Sequence, residues 1–277
     1  MGIKSATPRT APHLSAMNTW HDWEPTVSTV HRWLQILGRV RMVLAPRQPH
    51  WRHVLLRVTE SGFSTGPIPH PTGDFRIDLD VLHGRVDAVR GRRSVFTMAL
   101  EPMSVAKFYE RLLGGLAAAG IDVAIPTNPP EGASGAPFER DEEHASYVSA
   151  HAIAMWHGFA RADRLLGAFW AKHRGWSEPR LYWSSFDVAI NRSEEAPDSE
   201  QMVGWWPTSA AIGPAYYAYT KPEPPGYRTA PLEPAPARFD DGFGEFILTS
   251  EDVDRLPDPD AATLAFFEST AKAGRLR

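Results

Sequence analysis

Apolar positions recur along this chain at two spacings, and the change from one to the other marks out its elements. After Pro25 and Thr26, Val27, Val30, Leu34 and Leu37 fall at helical spacing and predict an amphipathic helix over roughly residues 26–37, with His31, Gln35 and Arg39 along a second face. The spacing then shortens to two. His53–Thr59 alternates, and Phe75–Val81 sets Phe75, Ile77, Leu79 and Val81 against Arg76, Asp78 and Asp80. His83-Gly84-Arg85 reads as a turn, and Val86–Val89 and Ser94–Leu100 as two more strands, so this stretch predicts an antiparallel meander. A helix over Ser104–Ala119 follows, capped by Ser104 and buried through Val105, Phe108, Leu112 and Leu116. Asp122–Ile125 reads as a return to the sheet.

The second part of the chain repeats this order. Pro126–Asp141, with its prolines and Gly132-Ala133-Ser134-Gly135, reads as a large loop. A long helix over Ser149–His173 is followed by strands at Leu181–Arg192, Tyr216–Thr220 and Glu245–Thr249. Asp258 then caps a last helix with Pro259 in its first turn, docked by Leu264, Phe267 and Ala271. The pattern predicts an α+β fold of antiparallel sheets flanked by helices. We read a disordered tail over residues 1–18 and one domain over 19–277. Two similar α+β halves, 19–125 and 143–277, joined by the loop 126–142, stay open as a finer division.

Composition narrows the class. With 277 residues, 43% hydrophobic and 22% charged, the chain can bury a substantial core. A net charge of −4 and no long basic run argue against a nucleic-acid partner. The absence of cysteine removes disulfides, thiolate metal ligands and a cysteine nucleophile together, and fits a reducing cytoplasm. No apolar run reaches the ~18–20 residues that span a bilayer. The N-terminal stretch lacks the apolar core of a signal peptide. A cytoplasmic protein without a membrane partner is the expectation, and its oligomeric state is left open. No Rossmann fingerprint, phosphate-binding loop, Gly-x-Ser-x-Gly elbow or His-Glu-x-x-His helix occurs.

The candidate chemistry centres on Asp187. In a continuous strand Leu181–Arg192 it shares a face with Leu181, Trp183, Ser185, Ala189 and Asn191, and a carboxylate there needs a partner, water or a ligand. The leading expectation is an enzyme acting on a small polar or aromatic molecule in an aromatic pocket. Asp187 would be the acid/base or the orienter of a histidine, and His53 or His144 the group titrating near neutral pH. Arg39 or Arg41 would hold an anionic substrate group. His31, Tyr147, Trp183, Tyr217 and Tyr219 would line the pocket. The alternative is a small-ligand-binding module built from the same residues without turnover. No metal or organic cofactor is expected, because the histidine spacings assemble no local site; were a metal present, His53, His144 and His151 would be its ligands. Asp78 and Asp80 read as members of a solvated sheet face.

Several short blocks carry a resemblance. They are His31-Arg32-Trp33-Leu34-Gln35 with Gly38-Arg39-Val40-Arg41, His50-Trp51-Arg52-His53, His144-Ala145-Ser146-Tyr147, Trp183-Ser184-Ser185-Phe186-Asp187, Tyr217-Ala218-Tyr219 with Pro222-Glu223-Pro224-Pro225-Gly226, and Gly244-Glu245-Phe246-Ile247-Leu248. In this order, from about Trp20 to the end, the chain resembles an uncharacterised bacterial family known only as a domain of unknown function. The resemblance implies that these blocks belong together, and it implies no activity. The chain departs from that family after Tyr147, where the family tends to have Asp-Pro-Glu and Val148-Ser149-Ala150 stands here.

Overall fold

Two antiparallel sheets, each introduced by a long helix and followed by a shorter helix, make up the fold. The computed structural model describes residues 20–130, 135–193, 199–208 and 212–275. The tail read over 1–18, and residues 131–134 of the expected loop, lie outside the described residues.

Helix α1, Trp20–Leu44, is longer than its apolar spacing predicts at both ends. Pro25 lies inside it rather than before it, one turn in, where it gives up the N–H that would otherwise bond to the His21 carbonyl. Gly38 is interior as well. The helix is central: Val30, Trp33, Leu34, Ile36, Leu37 and Val40 have no exposed surface and form a broad apolar side buried in the core.

Strands β1 (Arg57–Val58), β2 (Gly62–Ser64), β3 (Phe75–Asp80), β4 (Arg85–Arg90) and β5 (Arg93–Ala99) form one sheet in chain order. The stretch expected to open this sheet at His53 is instead a 3-10 turn over Pro49–Val54, with His50 and Trp51 in left-handed conformation, and only Arg57–Val58 pairs. Helix α2, Val105–Ala118, starts at Ser104, whose side chain accepts a hydrogen bond from the Lys107 N–H. The segment Asp122–Ile125 does not return to the sheet; it is part of the irregular stretch that follows α2.

Helix α3, Ser149–Lys172, opens the second half. Strands β6 (Arg180–Tyr182), β7 (Asp187–Arg192), β8 (Glu200–Trp206), β9 (Ala215–Lys221), β10 (Arg238–Asp240) and β11 (Glu245–Thr249) form a sheet in the order β10-β11-β9-β8-β7-β6. The short helix α4, Ser250–Asp254, and α5, Pro259–Ala273, close the chain, with Asp258 capping α5 through the Ala261 N–H. Leu56 and Leu181 exchange both backbone hydrogen bonds, so the edges β1 and β6 meet and the two sheets are continuous there.

The second half buries its helix-facing side through Leu181, Val188, Ile190, Val203 and Trp205, against which α3 packs Phe159 and Gly158. A Cβ at Gly158 would lie 2.5 Å from the Trp205 ring, so only glycine admits this approach. The outer faces of the two sheets differ. That of the first is a charged ladder, with Arg76–Asp78 at 2.7 Å, Arg85–Asp87 at 2.7 Å and Ser64 bonded to Asp78. That of the second carries rings and carboxyl groups with few cations among them.

Candidate functional site

The site begins with a turn that the sequence hides. Leu181–Arg192 is a hairpin, not one strand: β6 ends at Tyr182, the Phe186 N–H bonds to the Tyr182 carbonyl, and Phe186 takes a left-handed φ of 61°. No glycine or proline announces this turn. Its consequence is a change of face. Asp187 opens β7 opposite Tyr182 and shares the outer face with Ala189 and Asn191, while Val188 and Ile190 point to the helices.

Asp187 is 5% exposed. The Ser185 hydroxyl donates to its Oδ1 and the Tyr217 hydroxyl to its Oδ2, both through short contacts. Tyr217 reaches it by lying across Gly204, where a Cβ would come within 2.6 Å of the tyrosine ring. Burial pushes the Asp187 carboxyl up to about 6, against the opposing pull of its two hydroxyl donors. Burial and the adjacent Asp187 charge raise the Tyr217 hydroxyl well above its usual value.

Around this floor stands a half-exposed rim. Trp206 stacks on Tyr217 at 4.7 Å between ring centroids, Tyr217 on Tyr219 at 6.4 Å, and Phe243 lies 5.8 Å beyond Trp206. Lys221 sits over the far Tyr219 face at 4.8 Å. Tyr219 donates to Glu200 Oε2 at 2.9 Å, and the Asn191 amide donates to Glu200 Oε1 at 3.0 Å. Glu245 stands at the opposite edge. Its carboxyl is raised to about 7, first by burial and then by the Asp187 charge, with Lys221 pulling the other way. Burial and then the charges of Asp187 and Glu200 raise the Tyr182 hydroxyl to about 12. Two carboxyl groups that titrate near neutral pH thus flank a tyrosine on an aromatic surface. Perturbed groups of this kind mark functional sites.

The remaining predicted residues lie elsewhere. His31, Gln35 and Arg39 do line one stripe of α1, but it packs against the β6–β7 turn. The His31 ring stacks on Phe186 at 4.3 Å, and its Nε2 bonds to the Trp183 carbonyl at 2.9 Å. Burial drives its pKa down to about 4, so it is neutral at physiological pH. Arg39 lies over the Trp183 ring and donates to the Asn128 carbonyl, while Trp183 Nε1 donates to the Val54 carbonyl. His31 and Arg39 thereby fasten the turn that carries Asp187.

His144 pairs with the buried Asp141 at 2.9 Å, and the carbonyls of both residues accept the first N–H groups of α2. That network caps a helix. Tyr147 is 7% exposed and packs on Trp33, and His53, 3% exposed, accepts from the Gln48 N–H inside its 3-10 turn. His151 lies in the first turn of α3, so it, His144 and Tyr147 share no helix face. The hydrogen-bonding partners of Asp187 are therefore hydroxyls and not the expected histidines or arginines. Among the described residues no three His, Asp or Glu side chains converge on a point suited to a metal ion. Among these residues, too, no helix is long and apolar enough to cross a membrane.

Sequence reasoning did not reach Ser185, Tyr182, Glu200, Trp206 and Glu245. Only Ser185, two residues before Asp187, lay within local view. The others join through the register of β6, β8, β9 and β11.

Fold and site together define an α+β protein of two antiparallel sheets, one of which carries a buried carboxyl–tyrosine pair on its outer face. The chain belongs to the Family of unknown function (DUF5996), whose model matches residues 14–276. No curated protein and no solved structure matches it.

Proposed function

We propose that the protein is an enzyme acting on a small polar or aromatic molecule that carries a protonatable nitrogen. The observation that supports this reading is the Asp187–Tyr217 pair on the floor of the aromatic face, with Glu245 beside it. A general base works best when its pKa lies near the working pH, and burial moves both carboxyl groups toward that range. Asp187 takes the proton, Ser185 and Tyr217 hold its orientation, and Glu245 supplies the second carboxyl. Trp206 and Tyr182 offer ring surface to a flat or cationic group.

One observation favours a binding module instead: each Asp187 oxygen already accepts a hydroxyl hydrogen, which fixes a charge as readily as it prepares a proton transfer. A panel of aromatic and aliphatic amines separates the two readings. Product formation is followed by mass spectrometry and binding by the melting shift, for the wild type and Asp187→Asn. The enzyme reading predicts turnover that falls by about 10²-fold or more in the variant while binding persists. Loss of binding in the variant, with turnover in neither protein, selects the binding module. A panel that neither binds nor turns over contradicts both.

A further inference from the structure

A second charged cluster lies where the two sheets join. The antiparallel bridge between Leu56 and Leu181 sets Arg57 directly opposite Arg180. Like charges facing each other across a strand pair are destabilising, so the fold bears a cost here. Arg41 of α1 adds a third guanidinium. A Cβ built on Gly66 would lie 3.2 Å from Arg57 Nε and 3.9 Å from Arg41 Nη1, which brings those two nitrogens within about 7.1 Å of each other (3.2 + 3.9 as an upper bound). Gly66 has a φ of 63°, and the Arg41 Nη1 donates to the carbonyl of the next residue, Pro67, at 2.8 Å.

The counter-charges are incomplete. Glu178 pairs with Arg180, whose Nη1 donates to the Pro179 carbonyl, and Glu178 also faces Arg57. Asp163 faces Arg57 and Arg180 from α3, but burial holds its carboxyl up at about 6 in spite of both cations. Arg41 and Arg57 form no ion pair among the described residues, and the Arg41 Nε is buried without a hydrogen-bond partner. Partial burial, and then their like-charged neighbours, lower the pKa of both guanidiniums. A local rule broken in this way with only partial compensation is characteristic of a site.

We propose that Arg41, Arg57 and Arg180 form an anion site for a phosphate group, free or carried by a small molecule. Guanidinium groups that arrive from α1, β1 and β6 suit a tetrahedral oxyanion better than a planar carboxylate, which two of them would saturate. The site goes beyond the reading of the outer sheet face and does not depend on it. Arg180 stands two residues before Tyr182 on β6, so one strand borders both sites.

The test uses the full chain and inorganic phosphate, with acetate and chloride at matched ionic strength, read by calorimetry and by the melting shift. Wild-type protein should bind phosphate saturably, with no comparable response to acetate or chloride. Arg57→Gln, at an exposed position, should weaken binding by at least about tenfold, the loss of one charge-assisted bond. Asp187→Asn should leave it unchanged. A phosphate response equal to that of acetate or chloride overturns the assignment, as does one that survives in Arg57→Gln. An Arg57→Gln protein that fails to melt cooperatively is replaced by Arg41→Gln, to which the same two outcomes apply.

Discussion

Asp187 was visible in the sequence as a carboxylate in an aromatic stretch, but its partners were not. Tyr217 stands thirty residues away and meets it only because β8 places Gly204 between them and leaves room for the ring. Histidines and arginines were the chemically reasonable partners, since a buried charge is most often balanced by another charge. The protein leaves the charge on hydroxyls instead, which makes it expensive, and that expense is measurable. An unfolded carboxyl titrates near 3.8 and this one at about 6. The folded state thus holds a proton that the unfolded chain releases between those values. The contribution of Asp187 to stability is greatest below about 4 and is lost as pH rises through 6, by about 3 kcal/mol in all. Asp187→Asn keeps the shape and removes the charge. Its stability relative to wild type should rise by up to that amount between pH 4 and 7, and at pH 7.5 it should equal or exceed the wild type in urea unfolding. A pH-independent difference, with the variant weaker by 1–3 kcal/mol as for a lost structural hydrogen bond, would mean that Asp187 serves the fold.

At the level of elements, what the sequence revealed followed from local pattern. Strand β3 lies where period-two alternation puts it, β11 coincides with the short apolar stretch Glu245–Thr249, and α2 and α5 start at the residues with capping side chains. The misreadings share a cause. The β6–β7 turn is built from Trp183, Ser184, Ser185 and Phe186, none of them a turn marker, and it is stabilised by contacts with α1 that no local pattern reveals. Strand β8 went unseen because Gly204, which breaks its pattern, is there for Tyr217. Helix α1 hides its first turns behind Pro25. The contact of α1 with the turn gives a direct test. A Cβ on Gly38 would lie 2.5 Å from three Trp183 ring atoms, and Trp183 is pinned by its bond to the Val54 carbonyl. Gly38→Ala should therefore destabilise by about 1–3 kcal/mol through overpacking, despite its better helix propensity. Gly167→Ala on α3, where a Cβ meets nothing within 4 Å, should stabilise by about 0.5–1 kcal/mol. Equal effects at the two glycines would remove the argument for α1 as the support of the site.

At the scale of the molecule, the order helix, antiparallel sheet, helix recurs in both halves, and the halves interlock. Besides the Leu56–Leu181 bridge, Trp156 of α3 donates to the Thr59 carbonyl, His31 of α1 to the Trp183 carbonyl, and Phe63 of β2 packs on Phe159 of α3. Neither half closes its core alone. Unfolding should accordingly be a single transition, with tryptophan fluorescence and far-ultraviolet circular dichroism superimposable; two separated transitions would show that the halves are independent domains. The two outer faces differ in character, one a charged ladder of ion pairs with Ser64 and Asp80 buried in it, the other aromatic with Asp187 and Glu245 at its floor and edge. The claim that this second face is the functional one is tested most directly by carboxyl-carbon NMR titration of Asp187 and Glu245, assigned through Asp187→Asn and Glu245→Gln. The titration is run with and without benzylammonium as a cationic aromatic probe. The account predicts that the pair titrates with apparent midpoints near 6 and 7, and that the probe moves both downward as it binds the ionised forms. Midpoints near 4 that the probe leaves unchanged would contradict it.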